Sequence, residues 1–159
     1  MTVIPLCEPD LTGNEAAYLA ECVRSGFVSS VGAFVDRFEA AFAESLGARH
    51  AVACASGTAA LHLALRAVGV GPGDRVLVSD CTFIASGNPA RYLGATVEPI
   101  DVDPVTWQMD PDHLAAALAV DPAPAAVVPV HLYGQAADLG PLRAACARRG
   151  VPVVEDATE

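Results

Sequence analysis

The sequence predicts an α/β fold in which a mostly parallel sheet carries helices on both faces. Short runs rich in Val and Ala alternate with longer Ala/Leu-rich stretches of helical period, and Gly/Pro clusters punctuate them, which is the pattern of βαβ units. The supply of apolar surface agrees: 53% of the 159 residues are hydrophobic and 18% charged, with a mean hydropathy of +0.40, so a core can be buried and intrinsic disorder is excluded.

The elements follow in chain order. Thr12-Gly13-Asn14-Glu15 has the T-x-x-E form of a capping box, and Tyr18, Leu19, Cys22 and Val23 recur at helical spacing until Gly26, which predicts a first amphipathic helix. Phe34, Phe38 and Phe42 lie four apart on one face with Val35 and Leu46, and Gly47 is a C-terminal stop. This second helix is expected to pack against a core. Ala51 to Cys54 reads as a strand, Ser56-Gly57-Thr58 as a tight turn, and Ala59 to Val68 as a buried helix. After the turn Gly71 to Asp74, Val76 to Val78 is a strand, Pro89 to Leu93 a short helix closed by Gly94, and Ala95 to Val102 another strand. A helix is expected from about Pro111 to Ala119, then a Pro-rich joint at Asp121 to Pro124. The strand Ala126 to Val130, the helix Gly140 to Arg149 and a last strand Val151 to Val154 complete the series. The organisation expected is a helical segment over 1–48 and an α/β part over 49–159. The ending just past a strand reads more as a cut than as a natural terminus, with a small five-stranded flavodoxin-like domain as the alternative.

Composition narrows the partners. Nine basic against nineteen acidic residues give a net charge of −10, a surface that repels nucleic-acid backbones and anionic lipid. The opening Met-Thr-Val-Ile-Pro-Leu-Cys-Glu-Pro has no basic segment before a long apolar run, and no apolar stretch reaches the roughly 18 residues of a membrane span, so a soluble cytoplasmic protein is expected. Cys7, Cys22, Cys54, Cys81 and Cys146 show no C-x-x-C spacing; they are read as reduced, mostly buried small apolar residues, with neither a disulfide framework nor a metal site. All nine basic residues are Arg. The absence of Lys removes Schiff-base chemistry, a Walker lysine and a lysine general base from these residues.

Four groups could carry chemistry. Ser56-Gly57-Thr58 stands at a helix start, where free N–H groups and the helix dipole favour an anion and Gly admits it to the backbone; a plain N-cap is the competing reading. Glu155-Asp156 ends the last apolar run, where open α/β sheets place ligand-contacting groups, and a carboxylate there can hold a cationic heterocycle nitrogen. Thr82-Phe83 follows another strand at the same edge, so Phe83 can wall a flat ring. His131-Leu132-Tyr133-Gly134-Gln135 follows a further strand. Their convergence on one edge predicts a pocket.

Five ordered blocks, V-S-S-V-G-A-F-V-D-R-F-E, A-S-G-T-A-A-L-H-L-A-L, D-C-T-F-I-A-S-G-N, V-H-L-Y-G-Q-A-A-D-L and V-V-E-D-A-T-E, resemble the nucleotide-sugar aminotransferases of the DegT/StrS type. These are fold-type I pyridoxal-phosphate (PLP) enzymes. The opening I-P-L-C-E-P-D-L-T-G-N-E is most similar to the branch acting on nucleotide-linked 4-keto sugars. The resemblance implies a partial large domain. It also implies that Gly57, Thr58 and Ala59 meet the cofactor phosphate, that Phe83 stacks on the pyridine ring and that Asp156 pairs with its nitrogen. Glu159 would lie near the phenolic oxygen, and His131 near the site. The implied activity passes an amino group from glutamate to a keto group of a nucleotide-linked deoxysugar, in a homodimer. The family's Schiff-base Lys has no counterpart here, so no catalytic residue is assigned to this chain. A related sugar dehydratase, in which His replaces that Lys, and an inactive PLP-binding fragment are the alternatives.

Overall fold

Short apolar runs become strands only where a neighbouring strand takes up their backbone hydrogen bonds, and three do so here. In a computed structural model describing residues 4–5 and 8–159, the strands β1 (Arg75–Ser79), β2 (Thr96–Ile100) and β3 (Ala126–Val128) form a parallel sheet in the order β2-β1-β3. Beyond β3 the final segment adds parallel bridges, Val127 with Val153 and Val130 with Asp156. The expected last strand is thus reduced to bridge contacts, because Pro152 interrupts its N–H series and the bonds resume at Val154 and Asp156. Cys7 and the residues around it, 1–3 and 6–7, lie outside the described residues.

Residues 54–159 form one compact unit. Its helices are α3 (Gly57–Ala67), α4 (Asn88–Tyr92), α5 (Pro111–Leu118) and α6 (Leu139–Arg149). Side chains of β1 alternate between two cores. Leu77 packs with Ile100, Leu114, Val127 and Leu142 beneath α5 and α6, while Val76 and Val78 pack with Leu61, Leu65, Ala90 and Val128 beneath α3 and α4. Helices therefore cover both faces of the sheet, which explains why these strands read as continuous apolar runs. At the amino end of the sheet Arg75 of the central strand donates Nε and Nη2 to the two carboxylate oxygens of Glu98 on β2 at 2.6 and 2.7 Å.

Residues up to Ala53 form the other unit, with helices α1 (Glu15–Ser25) and α2 (Ala33–Leu46). Gly26 and Gly47 close them at φ 77° and 62°, as their positions predict. Three expectations fail here. The capping box does not form, because the Thr12 hydroxyl donates to Asp10 at 2.8 Å and α1 starts with Asn14 as its N-cap, so Glu15 is its first residue rather than its third. The Phe stripe of α2 is not core: Phe38 is 54% exposed and Phe42 47%, and only Ala43 of the helix is buried. Its Phe38 and Phe42 instead stack on one another, centroids 5.6 Å apart, and its Phe34 sits with Tyr18 of α1 beneath the Arg37 guanidinium. Residues 51–54 form no strand; the Ala53 N–H goes to the Glu39 carboxylate at 2.8 Å rather than into a ladder.

The cysteines also differ from expectation. Cys146 is buried within the α6 core, and burial pushes its thiol up, but Cys22 and Cys81 are half-buried and Cys54 is exposed. No helix among the described residues is long and apolar enough to cross a membrane.

Candidate cofactor site

The carboxyl ends of β1 and β3, the residues up to Asp156 and the start of α3 surround a pocket of about 240 Å³. It is lined by Gly57, Thr58, Phe83, Ser86, Asp156 and Glu159 among others, so five of the six candidate residues come together from three parts of the sequence. The sixth, Ala59, does not line it. Its N–H is taken by the Ser56 hydroxyl at 3.2 Å, so the N-cap reading of Ser56 holds as well. Gly57 and Thr58, as the first two helical residues, have no carbonyl inside α3 for their N–H groups. A Cβ built on Gly57 would come within 3.1 Å of the Thr158 hydroxyl, so a residue without a side chain lets Thr158 approach the start of α3 closely.

Asp156 is the buried carboxylate of the pocket, 6% exposed. Ser86 Oγ donates to its Oδ2 at 2.6 Å, and Thr158 donates to its Oδ1 through Oγ1 at 2.7 Å and through N–H at 3.3 Å. Phe83, 73% exposed, presents an open aromatic face just before the turn Ile84–Ser86. Glu159 is anchored at the rim, its Oε2 accepting the Tyr133 N–H at 2.6 Å.

His131 has a different role. Its Nδ1 accepts the Ala137 N–H at 3.0 Å, which leaves Nε2 toward Glu155 at 3.4 Å, and Glu155 also accepts from Arg143. The ring is a joint that holds its loop, and it does not line the pocket. Sequence reasoning passed over Ser86 and Thr158. Their signal was present as hydroxyl residues three positions after Phe83 and two after Asp156, but nothing local says that both aim at one carboxylate. Among the described residues no cluster of His, Cys, Asp and Glu is placed to hold a metal ion.

These residues fit a compact group with an anion at one end and a basic ring nitrogen at the other: bare backbone N–H groups at a helix start, an aromatic wall and a buried carboxylate. The fold and pocket thus define an α/β domain with a pocket at the carboxyl edge of its parallel sheet. The chain belongs to the DegT/DnrJ/EryC1/StrS aminotransferase family, whose profile matches residues 9–159. It is 47% identical over 156 residues to the GDP-perosamine synthase of Caulobacter vibrioides, covering 98% of this chain and 42% of that protein. Among solved structures, S. venezuelae DesV is similar with a TM-score of 0.82 and 38% identity, over 91% of this chain and 39% of DesV. NtdA of Bacillus subtilis, solved with bound cofactor PMP, has a TM-score of 0.82 and 32% identity, over 89% of this chain and 32% of its own. The chain therefore spans about two-fifths of the length of the curated relatives it matches.

Proposed function

We propose that this chain contributes the cofactor-binding part of a PLP-dependent aminotransferase acting on a nucleotide-linked keto sugar, with glutamate as the amino donor. The observation that carries the reading is that the α3 N-terminus, at one end, and the buried, hydroxyl-held Asp156, at the other, line one pocket with Thr158 between them. The two ends differ in charge preference as the two ends of pyridoxal phosphate do. When bound, that cofactor supplies an electron sink for the charge that develops on the carbon bearing the transferred amino group.

The residues of this chain bind and orient. Gly57 and Thr58 would hold the phosphate with N–H groups and the helix dipole, and Ala59 supports them through the Ser56 cap. Phe83 would lie against the ring and exclude water from that side. Asp156 would pair with the ring nitrogen, and Glu159 would stand near the phenolic oxygen. With no Lys among 159 residues, covalent attachment and proton movement at the reacting carbon fall to residues outside this sequence. A homodimer for the complete enzyme, a cytoplasmic location and the organisation into 1–48 and 49–159 belong to the same proposal.

The test is a titration of the purified chain with PMP, which needs no covalent link, followed by its fluorescence. Saturable binding that weakens at least about tenfold in Asp156→Ala is expected; a folded chain that binds no PMP overturns the reading. Incubation of the complete polypeptide with glutamate, PLP and a nucleotide-linked keto sugar should yield an amino sugar by mass spectrometry.

A further inference from the structure

We propose that Ser86 and Thr158 are positioning residues that lock the Asp156 carboxylate in one orientation, an inference that rests on the cofactor reading above for its purpose. A carboxylate on a single Cβ can turn about two bonds, and a buried one without fixed donors has neither its hydrogen bonds nor its direction secured. Here each oxygen is held from a different segment. Oδ2 accepts from Ser86, on the turn after β1, and Oδ1 accepts from the hydroxyl and N–H of Thr158, two residues downstream.

The carboxylate, which can only accept, also sets the direction of a bond to a third hydroxyl. Ser86 is 1% exposed and its Oγ lies 2.7 Å from Thr82 Oγ1. Because the Ser86 proton goes to Asp156, the proton between Thr82 and Ser86 belongs to Thr82, and the order runs from Thr82 to Ser86 to Asp156. A carboxylate oxygen has about two acceptor positions. Thr158 fills both on Oδ1, whereas Ser86 fills one on Oδ2, so the spare acceptor position is on Oδ2. A ring N–H donor would be received there.

Both clamping residues are tied to other walls of the pocket. The turn that carries Ser86 is closed by its N–H bonding to the Phe83 carbonyl at 3.0 Å, so one turn sets the aromatic wall and one half of the clamp. Thr158 stands where a Cβ on Gly57 would approach it to 3.1 Å, so its hydroxyl lies between the carboxylate and the start of α3. Loss of that hydroxyl should therefore loosen the orientation of Asp156 without emptying any core.

The experiment compares T158V, which keeps the side-chain shape, T158S, which keeps the hydroxyl, and S86A, all in the full chain. Three-bond couplings to the Asp156 Cβ protons report its side-chain rotamer, and 15N-labelled PMP reports the ring nitrogen. The wild type and T158S should show a single Asp156 rotamer. T158V and S86A should show averaged couplings, roughly tenfold weaker PMP binding and a ring-nitrogen resonance moved toward that of free PMP. A purely space-filling role would leave the couplings of T158V unchanged, and that result overturns the proposal. If S86A does not fold, T158V decides alone. Averaged couplings in T158V support the clamp whether or not PMP binds, whereas a wild type that binds no PMP overturns only the cofactor reading.

Discussion

Helices α2 and α3 carry similar apolar stripes and meet opposite fates. Phe34, Phe38 and Phe42 of α2 recur as regularly as Leu61 and Leu65 of α3, yet the Leu pair is buried against the sheet while Phe38 and Phe42 stay about half exposed. Periodicity specifies which face of a helix is apolar. It does not supply the second layer that buries it. In residues 54–159 the sheet is that layer, with a core on each face. Among the described residues of the N-terminal unit, Phe38 stacks on Phe42, and Tyr18 and Phe34 pair beneath Arg37.

The contrast can be broken most directly by truncation. Leu77→Ala, at a position with no exposure, should cost about 2–5 kcal/mol in urea unfolding. Phe42→Ala removes a larger side chain but should cost only about 1 kcal/mol or less, because nearly half of it already meets water. Equal costs would show that the Phe stripe is as well buried as the sheet core, and the comparison would fall.

Helix starts give a smaller version of the same test. Asp110 caps α5 by accepting the N–H groups of Asp112 and His113, whereas Asn14 makes no side-chain cap bond to α1. Asp110→Ala should lower stability by about 1 kcal/mol and Asn14→Ala by a few tenths, read from thermal melts.

The smallest effect concerns the amino end of the sheet. Hydrogen bonds from Arg75 hold the Glu98 carboxyl below its ordinary value of 4.5, and the pair raises Arg75 in turn. A depressed carboxyl contributes stability that is present above its unfolded value and is lost as pH falls through its folded value. Wild-type stability should therefore drop more steeply than that of Glu98→Gln as pH falls below about 4.5. The difference should stay under about 1 kcal/mol, because Glu98 is 36% exposed and screened by solvent. Parallel pH profiles for the two proteins would remove the ion pair from the account of sheet stability.

Much of the fold was legible because its signals are local. The glycines at 26, 47 and 150 each end a helix in the left-handed region, where L side chains are strained, and the strands of the buried sheet are short apolar runs. Residues 51–54 have the same run but no strand, since a ladder needs a partner that composition does not name. The pocket divides in the same way. Gly57, Thr58, Phe83, Asp156 and Glu159 could be picked out by residue type and by position after a strand or before a helix. Ala59 could not be separated from them without seeing that Ser56 takes its N–H.

By itself the sequence determined the α/β alternation, the helix ends, the net acidity, the absence of Lys and a family signature spread over five blocks, all properties of short stretches or of composition. Only the tertiary structure decided that Ser86 and Thr158 share one carboxylate, that His131 props a loop instead of facing the pocket, and that the Phe stripe stays half exposed. The physical reason is distance along the chain. Ser86 and Asp156 are 70 residues apart, and a hydrogen bond of 2.6 Å between them exists only once the turn after β1 and the bridges beside β3 have set both side chains at one edge of the sheet.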